Sequence, residues 1–211
     1  MQTEIIRLTG GPRDRDSDTR IIRKLAEGGV IVYPTDTFYG LGASGFNVDA
    51  IGKIYRIKQR SSAKPLSLVI SDLAMVSDVA QSIPPSLEDL AAAFWPGPLT
   101  LILFASPQLP DALLGRSKTI GVRVPRHAWL RSMVRSAGFP LTATSANLSG
   151  APESADPNQA IRMFEGRVDM IIDGGFTPGG RPSTILDLTG PAPKILREGA
   201  ITPAQLQGYL E

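Results

Sequence analysis

Residues 30–42 read Val30-Ile31-Val32-Tyr33-Pro34-Thr35-Asp36-Thr37-Phe38-Tyr39-Gly40-Leu41-Gly42. Four consecutive β-branched or aromatic residues make a strand buried on both faces, and Pro34 ends it in a loop rich in hydroxyls and glycines. Toward the N-terminus, residues 16–27 put Ile21, Ile22 and Leu25 on one helical face, Gly28-Gly29 stops that helix, and residues 5–8 suit a short strand. Toward the C-terminus, Asn47 or Asp49 caps a helix running to about Lys58, and an apolar strand follows over residues 66–70. Pro84 or Pro85 opens another helix that the Trp95-Pro96-Gly97-Pro98 turn ends. Strands are expected at 99–104, 120–124, 169–172, 183–188 and 194–196, and helices at 128–137, 157–164 and 203–210. A second hydroxyl-rich strand exit covers residues 141–150, and residues 174–181 form a Gly-rich loop. Strands alternate with helices and no internal repeat is present, which predicts one α/β domain over residues 1–211, with a twisted, mostly mixed sheet flanked by helices.

The 211 residues contain no Cys and a single His. Thiolate zinc sites, Cys nucleophiles, iron–sulfur clusters, disulfides and multi-His metal centres are therefore excluded. The opening segment carries Glu4 and lacks the apolar run of a signal peptide, which suits a cytoplasmic protein. The long uncharged stretch at 90–110 is broken by Trp95-Pro96-Gly97-Pro98, which no membrane helix places at its middle, so no membrane partner is expected. With 21 Gly and 18 Pro, many loops are shaped rather than slack, and loops are where function concentrates. In open α/β sheets ligands lie beyond the strand ends, which directs attention to the three polar loops.

The net charge of +2 conceals a pattern. Lys53, Arg56, Lys58, Arg60 and Lys64 form one acid-free run, and Arg116, Lys118, Arg123, Arg126, Arg131 and Arg135 form another. Either the fold brings both runs to one basic cleft that holds phosphates, or solvated helix faces scatter the charges outward. Neither G-x-G-x-x-G after the first strand nor G-x-x-x-x-G-K-[ST] occurs, so the two common phosphate cradles are absent. Lys58-Gln59-Arg60 at a helix end and Ser145-Ala146-Asn147 at a strand exit are the remaining candidates for phosphate binding, though each also suits helix ending or capping.

Together the strings YPTDTFYGLG, K-x-R followed by KPL, WPGPLTLIL, GVRVPRH, PLTATSANLSG and STILDLTG ahead of ILREGAI resemble the YrdC-domain, threonylcarbamoyl-AMP synthase family over residues 21–201. That resemblance implies a YrdC-like fold with a concave basic ligand cleft. It also implies ATP-dependent synthesis of threonylcarbamoyl-AMP from L-threonine, bicarbonate and ATP, with release of pyrophosphate, and a tRNA-modifying threonylcarbamoyl transferase complex as acceptor of the product. Position by position it assigns Lys58, Arg60, Ser145 and Asn147 to the phosphates and the reacting centre. Ser62, Thr119 and Arg197, with Lys58 and Ser145, fall on the nucleotide side. Thr35, Ser67, Arg123, the Ala143 backbone and Ser183 fall at threonine-binding positions. Arg123 suits the substrate carboxylate because a guanidinium meets it as a bidentate fork.

No residue is expected to form a metal site. Asp36 is alone in its loop, so Mg²⁺ would be held mainly by the phosphates and water. His127 is expected to cap a helix or sit at the surface rather than act as a base, and Trp95 and Trp129 to pack. Longer family members carry a further C-terminal domain that can cover the site. This chain matches the short type, with a lid expected from residues 61–64, residues 174–181 or the N-terminal segment. The rival is a non-catalytic protein whose cleft grips tRNA or double-stranded RNA. A carbamoyl-phosphate-dependent adenylate domain is disfavoured, because such domains sit in longer chains with Cys motifs absent here.

Overall fold

The computed structural model describes residues 2–8 and 15–210; the 1–211 domain expectation, and part of the N-terminal lid candidate, also take in Met1, residues 9–14 and Glu211, which lie outside them. The strands are β1 (Glu4–Arg7), β2 (Ile31–Tyr33), β3 (Gly40–Gly42), β4 (Ser67–Val69), β5 (Leu99–Phe104), β6 (Thr119–Arg123), β7 (Leu141–Ser145), β8 (Met170–Asp173), β9 (Thr184–Asp187) and β10 (Lys194–Arg197). The helices are α1 (Arg15–Ala26), α2 (Val48–Lys58), α3 (Val76–Val79), α4 (Ser86–Phe94), α5 (Asp111–Leu114), α6 (Ala128–Ala137), α7 (Pro157–Phe164) and α8 (Pro203–Leu206). Gln207–Tyr209, expected to prolong the last helix, instead tighten into a 3₁₀ turn.

All ten strands join one sheet in the order β1-β8-β2-β3-β7-β4-β6-β5-β9-β10. It is mixed, as expected. The pairs β1/β8, β8/β2, β4/β6 and β5/β9 run parallel, and the others antiparallel. Within β2 alternate residues serve opposite faces. Val30 and Val32 join the larger core with Ile51 and Ile54 of α2, Leu87 and Leu90 of α4, and Phe164 of α7. Ile31 and Tyr33 join a smaller core with Ile21 and Leu25 of α1 and Leu130, Met133 and Val134 of α6. Ile21 and Leu25 are fully buried, and each such side chain contributes about 1.5–3 kcal/mol. The cap of α2 is Asn47 rather than Asp49: its Oδ1 accepts from the Ala50 N–H at 2.9 Å, worth about 1 kcal/mol.

One strand departs from the expectation of a loop through residues 34–42. Gly40-Leu41-Gly42 forms β3, hydrogen-bonded between β2 and β7. Glycine disfavours strands, so the sequence reads as a turn, yet here bare backbone is required. The Tyr33 ring lies across β3, and a Cβ at Gly40 or Gly42 would come within 2.8 or 2.6 Å of it. The Tyr33 hydroxyl then reaches over to donate to the Thr142 carbonyl of β7 at 2.9 Å.

Candidate active site

The helices of the smaller core, α1 and α6, leave part of that sheet face bare. Over β4, β6, β5 and β9 lies a cavity of about 490 Å³, within the usual range for small-molecule sites. Its floor is the sheet itself: Ala143, Ser67, Gly121, Ile102 and Ile185 line it from adjacent strands. This corrects the expectation of a site beyond the strand ends. The polar loops supply walls, while the flanking helices leave the floor free. Gly121 keeps that floor low, because a Cβ there would sit 2.6 Å from Ser67 Oγ.

Thr35, Ser67, Thr119, Arg123, Ala143, Ser145, Ser183, Arg60 and Arg197, all singled out in the sequence, line this one cavity; Lys58, Ser62 and Asn147 do not. Arg123 is 8 % exposed. Its Nε donates to the Gly97 carbonyl at 2.9 Å, Nη2 to Asp36 Oδ1 at 2.7 Å and Nη1 to Thr37 Oγ1 at 3.4 Å. The guanidinium is thus fixed along its Nε–Nη2 edge. Asp36, unassigned in the sequence, is the counterion of this arginine, and the pair is nearly buried. Thr35 Oγ1 donates to the Phe38 carbonyl at 2.6 Å and accepts from the Thr37 N–H at 3.0 Å, which holds the loop in shape beside the cavity.

The K-x-R and S-x-N elements meet, but not as four groups facing a ligand. Gln59 at the end of α2 adopts the left-handed conformation (φ 51°, ψ 43°), and its N–H closes the helix onto the Arg56 carbonyl. This turn sends the residues on either side of Gln59 in different directions. Lys58 is buried, 2 % exposed, and its ammonium donates to the Ser145 carbonyl at 2.5 Å, the Asn147 carbonyl at 2.7 Å and Asn147 Oδ1 at 2.8 Å. Ser145 Oγ donates to the same Asn147 oxygen at 2.8 Å, and Asn147 Nδ2 donates to the Ala151 carbonyl. Burial, with Arg60 acting in the same direction and Glu153 against it, pulls the Lys58 pKa down to about 8. Arg60 emerges into the cavity, donates Nη2 to the Pro65 carbonyl at 3.1 Å, and keeps a buried Nε with no partner among the described residues.

Opposite, β10 presents Arg197, whose Nε and Nη2 donate to the Ser183 carbonyl at 3.1 and 2.8 Å. Ser183 Oγ accepts from the same Nη2 at 3.1 Å and lies 2.9 Å from Thr100 Oγ1. Ser62 is exposed on the loop that brings Arg60 and Lys64 to the site. Residues 174–181 are tied down: the Tyr39 hydroxyl donates to the Gly175 carbonyl, and the Gly179 N–H donates to the Thr37 carbonyl, both at 2.7 Å. Burial raises the Tyr39 pKa to about 12, so it remains a donor.

The charge pattern resolves between its two readings. Arg60 and Lys64 of the first run and Arg123 of the second line the cavity. Arg116, Lys118, Arg126 and Arg135 are exposed, and Lys53 Nζ is spent on the Gly28 carbonyl at 2.8 Å. The fourth cation, Arg197, belongs to neither run. Lys64, named in the first run but given no site role, and Glu153, which was not singled out, also line the site; Glu153 is the first acid after the acid-free stretch, and that position is the signal that could have found it. His127 caps α6 as expected, its Nδ1 accepting from the Leu130 N–H at 3.4 Å, and burial lowers its pKa toward the neutral form this requires. Trp95 and Trp129 pack, with indole N–H groups on the Leu99 carbonyl and Asp18.

The model of the Sua5/YciO/YrdC family, described as "Telomere recombination", matches residues 23–199. The threonylcarbamoyl-AMP synthase of Bacillus subtilis is 40 % identical over 190 residues, covering 88 % of this chain and 54 % of that protein. Pyrococcus abyssi Sua5 complexed with L-threonine superposes with a TM-score of 0.92 at 32 % identity, over 100 % of this chain and 61 % of that one. E. coli YciO gives 0.88 at 30 % identity, over 99 % of this chain and 100 % of its own. The chain therefore spans little more than half the length of the first two and the full length of the third. With the sequence match and the superposition in agreement, the chain belongs to the Sua5/YciO/YrdC family.

Proposed function

We propose that this protein makes threonylcarbamoyl-AMP from L-threonine, bicarbonate and ATP, releasing pyrophosphate. The observation that carries the reading is the convergence of Arg60, Lys64, Arg123 and Arg197 with the hydroxyls of Thr35, Ser67, Thr119 and Ser183 on one cavity large enough for a small molecule. The relative crystallised with L-threonine and the Bacillus synthase supply the substrate class. The threonine amine takes up carbon from bicarbonate with loss of water, giving a carbamate. A carbamate oxygen then attacks the α-phosphorus, and the bond to the β-phosphate oxygen breaks. The protein's share is positioning and charge neutralisation. In this reading Arg123 takes the amino-acid carboxylate, Arg60, Lys64 and Arg197 take phosphate oxygens, and Ser145 lies at the reacting centre. Lys58 and Asn147 hold Ser145 in place from behind.

Magnesium neutralises triphosphate charge when bound. No group of three or more Asp, Glu, His or Cys residues assembles among the described residues, while the cavity has one carboxylate. That donor set fits an ion carried in on the phosphates rather than one held by protein alone. The product would pass to a threonylcarbamoyl transferase complex acting on tRNA. Gripping of tRNA or double-stranded RNA by the same cleft is the rival, and it sits poorly with cations turned into a cavity of this size. The proposed site of action is the cytoplasm; no helix among the described residues is long and apolar enough to cross a membrane. The test is pyrophosphate release from ATP, Mg²⁺ and bicarbonate with and without L-threonine. Threonine-dependent release is expected, and equal signals overturn the reading.

A further inference from the structure

One acidic side chain, Glu153, lines a cavity otherwise ringed by four cations. It makes no hydrogen bond or ion pair with a described residue, although its charge is felt by Lys58 behind one wall and by Arg197 on the other. Its backbone is held on both sides. The Asn147 amide donates to the Ala151 carbonyl, and the Tyr39 N–H donates to the carbonyl of the fully buried Ser154 at 2.8 Å. Ser154 Oγ is further tied to Gln159 Oε1 at 2.9 Å. A free carboxylate carried on this anchored backbone opposes a bare polyphosphate and attracts a divalent cation riding on one. Mg²⁺ is ordinarily taken by one or two carboxylates together with substrate phosphates and water.

We propose that Glu153 is the residue that makes this site select the magnesium complex of the nucleotide over the free polyanion, by contributing the protein's carboxylate to the metal side of the triphosphate. The inference rests on the proposed function in one respect, that ATP binds in this cavity. A carboxylate that merely balances Arg197 makes a different prediction, because it opposes the nucleotide whether or not metal is present.

The experiment is calorimetric titration of ATP, without threonine, into the wild-type protein and into Glu153→Gln, each with saturating Mg²⁺ and with excess EDTA. In EDTA the variant should bind ATP more tightly than wild type by about tenfold, since a like charge a few ångström from phosphate has gone. In Mg²⁺ the order should reverse, with the variant weaker. Glu153→Asp, which keeps the charge on a shorter stem, should retain the preference for Mg²⁺ in part, and equal melting temperatures exclude a folding defect. A variant that binds more tightly under both conditions, or one with unchanged metal dependence, overturns this inference alone. Wild-type protein that binds no ATP under either condition overturns the proposed function and this inference with it.

Discussion

The two basic runs, residues 53–64 and 116–135, look alike in sequence and end in opposite circumstances. In the first, a left-handed residue at the end of α2 turns one cation into the protein and another into the cavity. In the second, β6 faces Arg123 inward because alternate strand residues share a face, while α6 and the neighbouring turns leave Arg126 and Arg135 in solvent. Like charges along a chain become a binding potential only where backbone direction and burial remove water from them. Surface partners such as Arg135 and Asp72, 3.0 Å apart, remain screened.

The sharpest way to break this contrast is Arg123→Ala. It strands Asp36 as a nearly buried carboxylate, so stability should fall by about 3–5 kcal/mol in urea titration. Threonine-dependent turnover should fall with it, by about a hundredfold or more at a temperature where the variant is folded. Lys58→Met comes next. The Ser145 carbonyl keeps the Asn147 N–H and Asn147 Oδ1 keeps the Ser145 hydroxyl, so the Asn147 carbonyl is the acceptor left without a donor, at about 1–3 kcal/mol, and activity should drop through misplacement of Ser145.

Lys58 also predicts a pH dependence. Its folded pKa, about 8, lies below the ordinary lysine value of 10.5, so between those values the unfolded chain holds more protons than the folded one. The Lys58 contribution to stability therefore rises with pH across that window, whereas activity declines above pH 8 as the amine loses one of three donated hydrogen bonds. Lys58→Met should abolish both slopes. Arg60→Ala should leave the melting temperature nearly unchanged and weaken ATP binding by about tenfold, the cost of one charge-assisted contact. Arg135→Ala should change stability by no more than about 0.5 kcal/mol and turnover not at all. A large effect there would erase the distinction between the two runs.

Much of the fold was legible because its signals are local. The caps at Asn47 and His127, the Pro157 start of α7 and the apolar strand at 99–104 depend on neighbours within one or two turns. What escaped was decided at a distance. β3 exists because Tyr33 covers two glycines, and α3 and α5, each four residues long, are too short to show a period. The cavity residues were found through matched strings, but their roles depend on side-chain direction. Only the structure separates Lys58, committed to oxygens of Ser145 and Asn147, from Arg60 two positions on, and it alone shows that Asp36 answers Arg123.

The tyrosine laid across β3 has a consequence for how this segment can vary. Its ring demands bare backbone at residues 40 and 42, and its hydroxyl demands a carbonyl on β7, two strands away. A substitution at any one of these positions is therefore opposed by the others. Phenylalanine at residue 33 is the mildest escape, forfeiting a single hydrogen bond, whereas any side chain added to either glycine would pry apart the plate that joins Gly40 to Ala143 and Ser145.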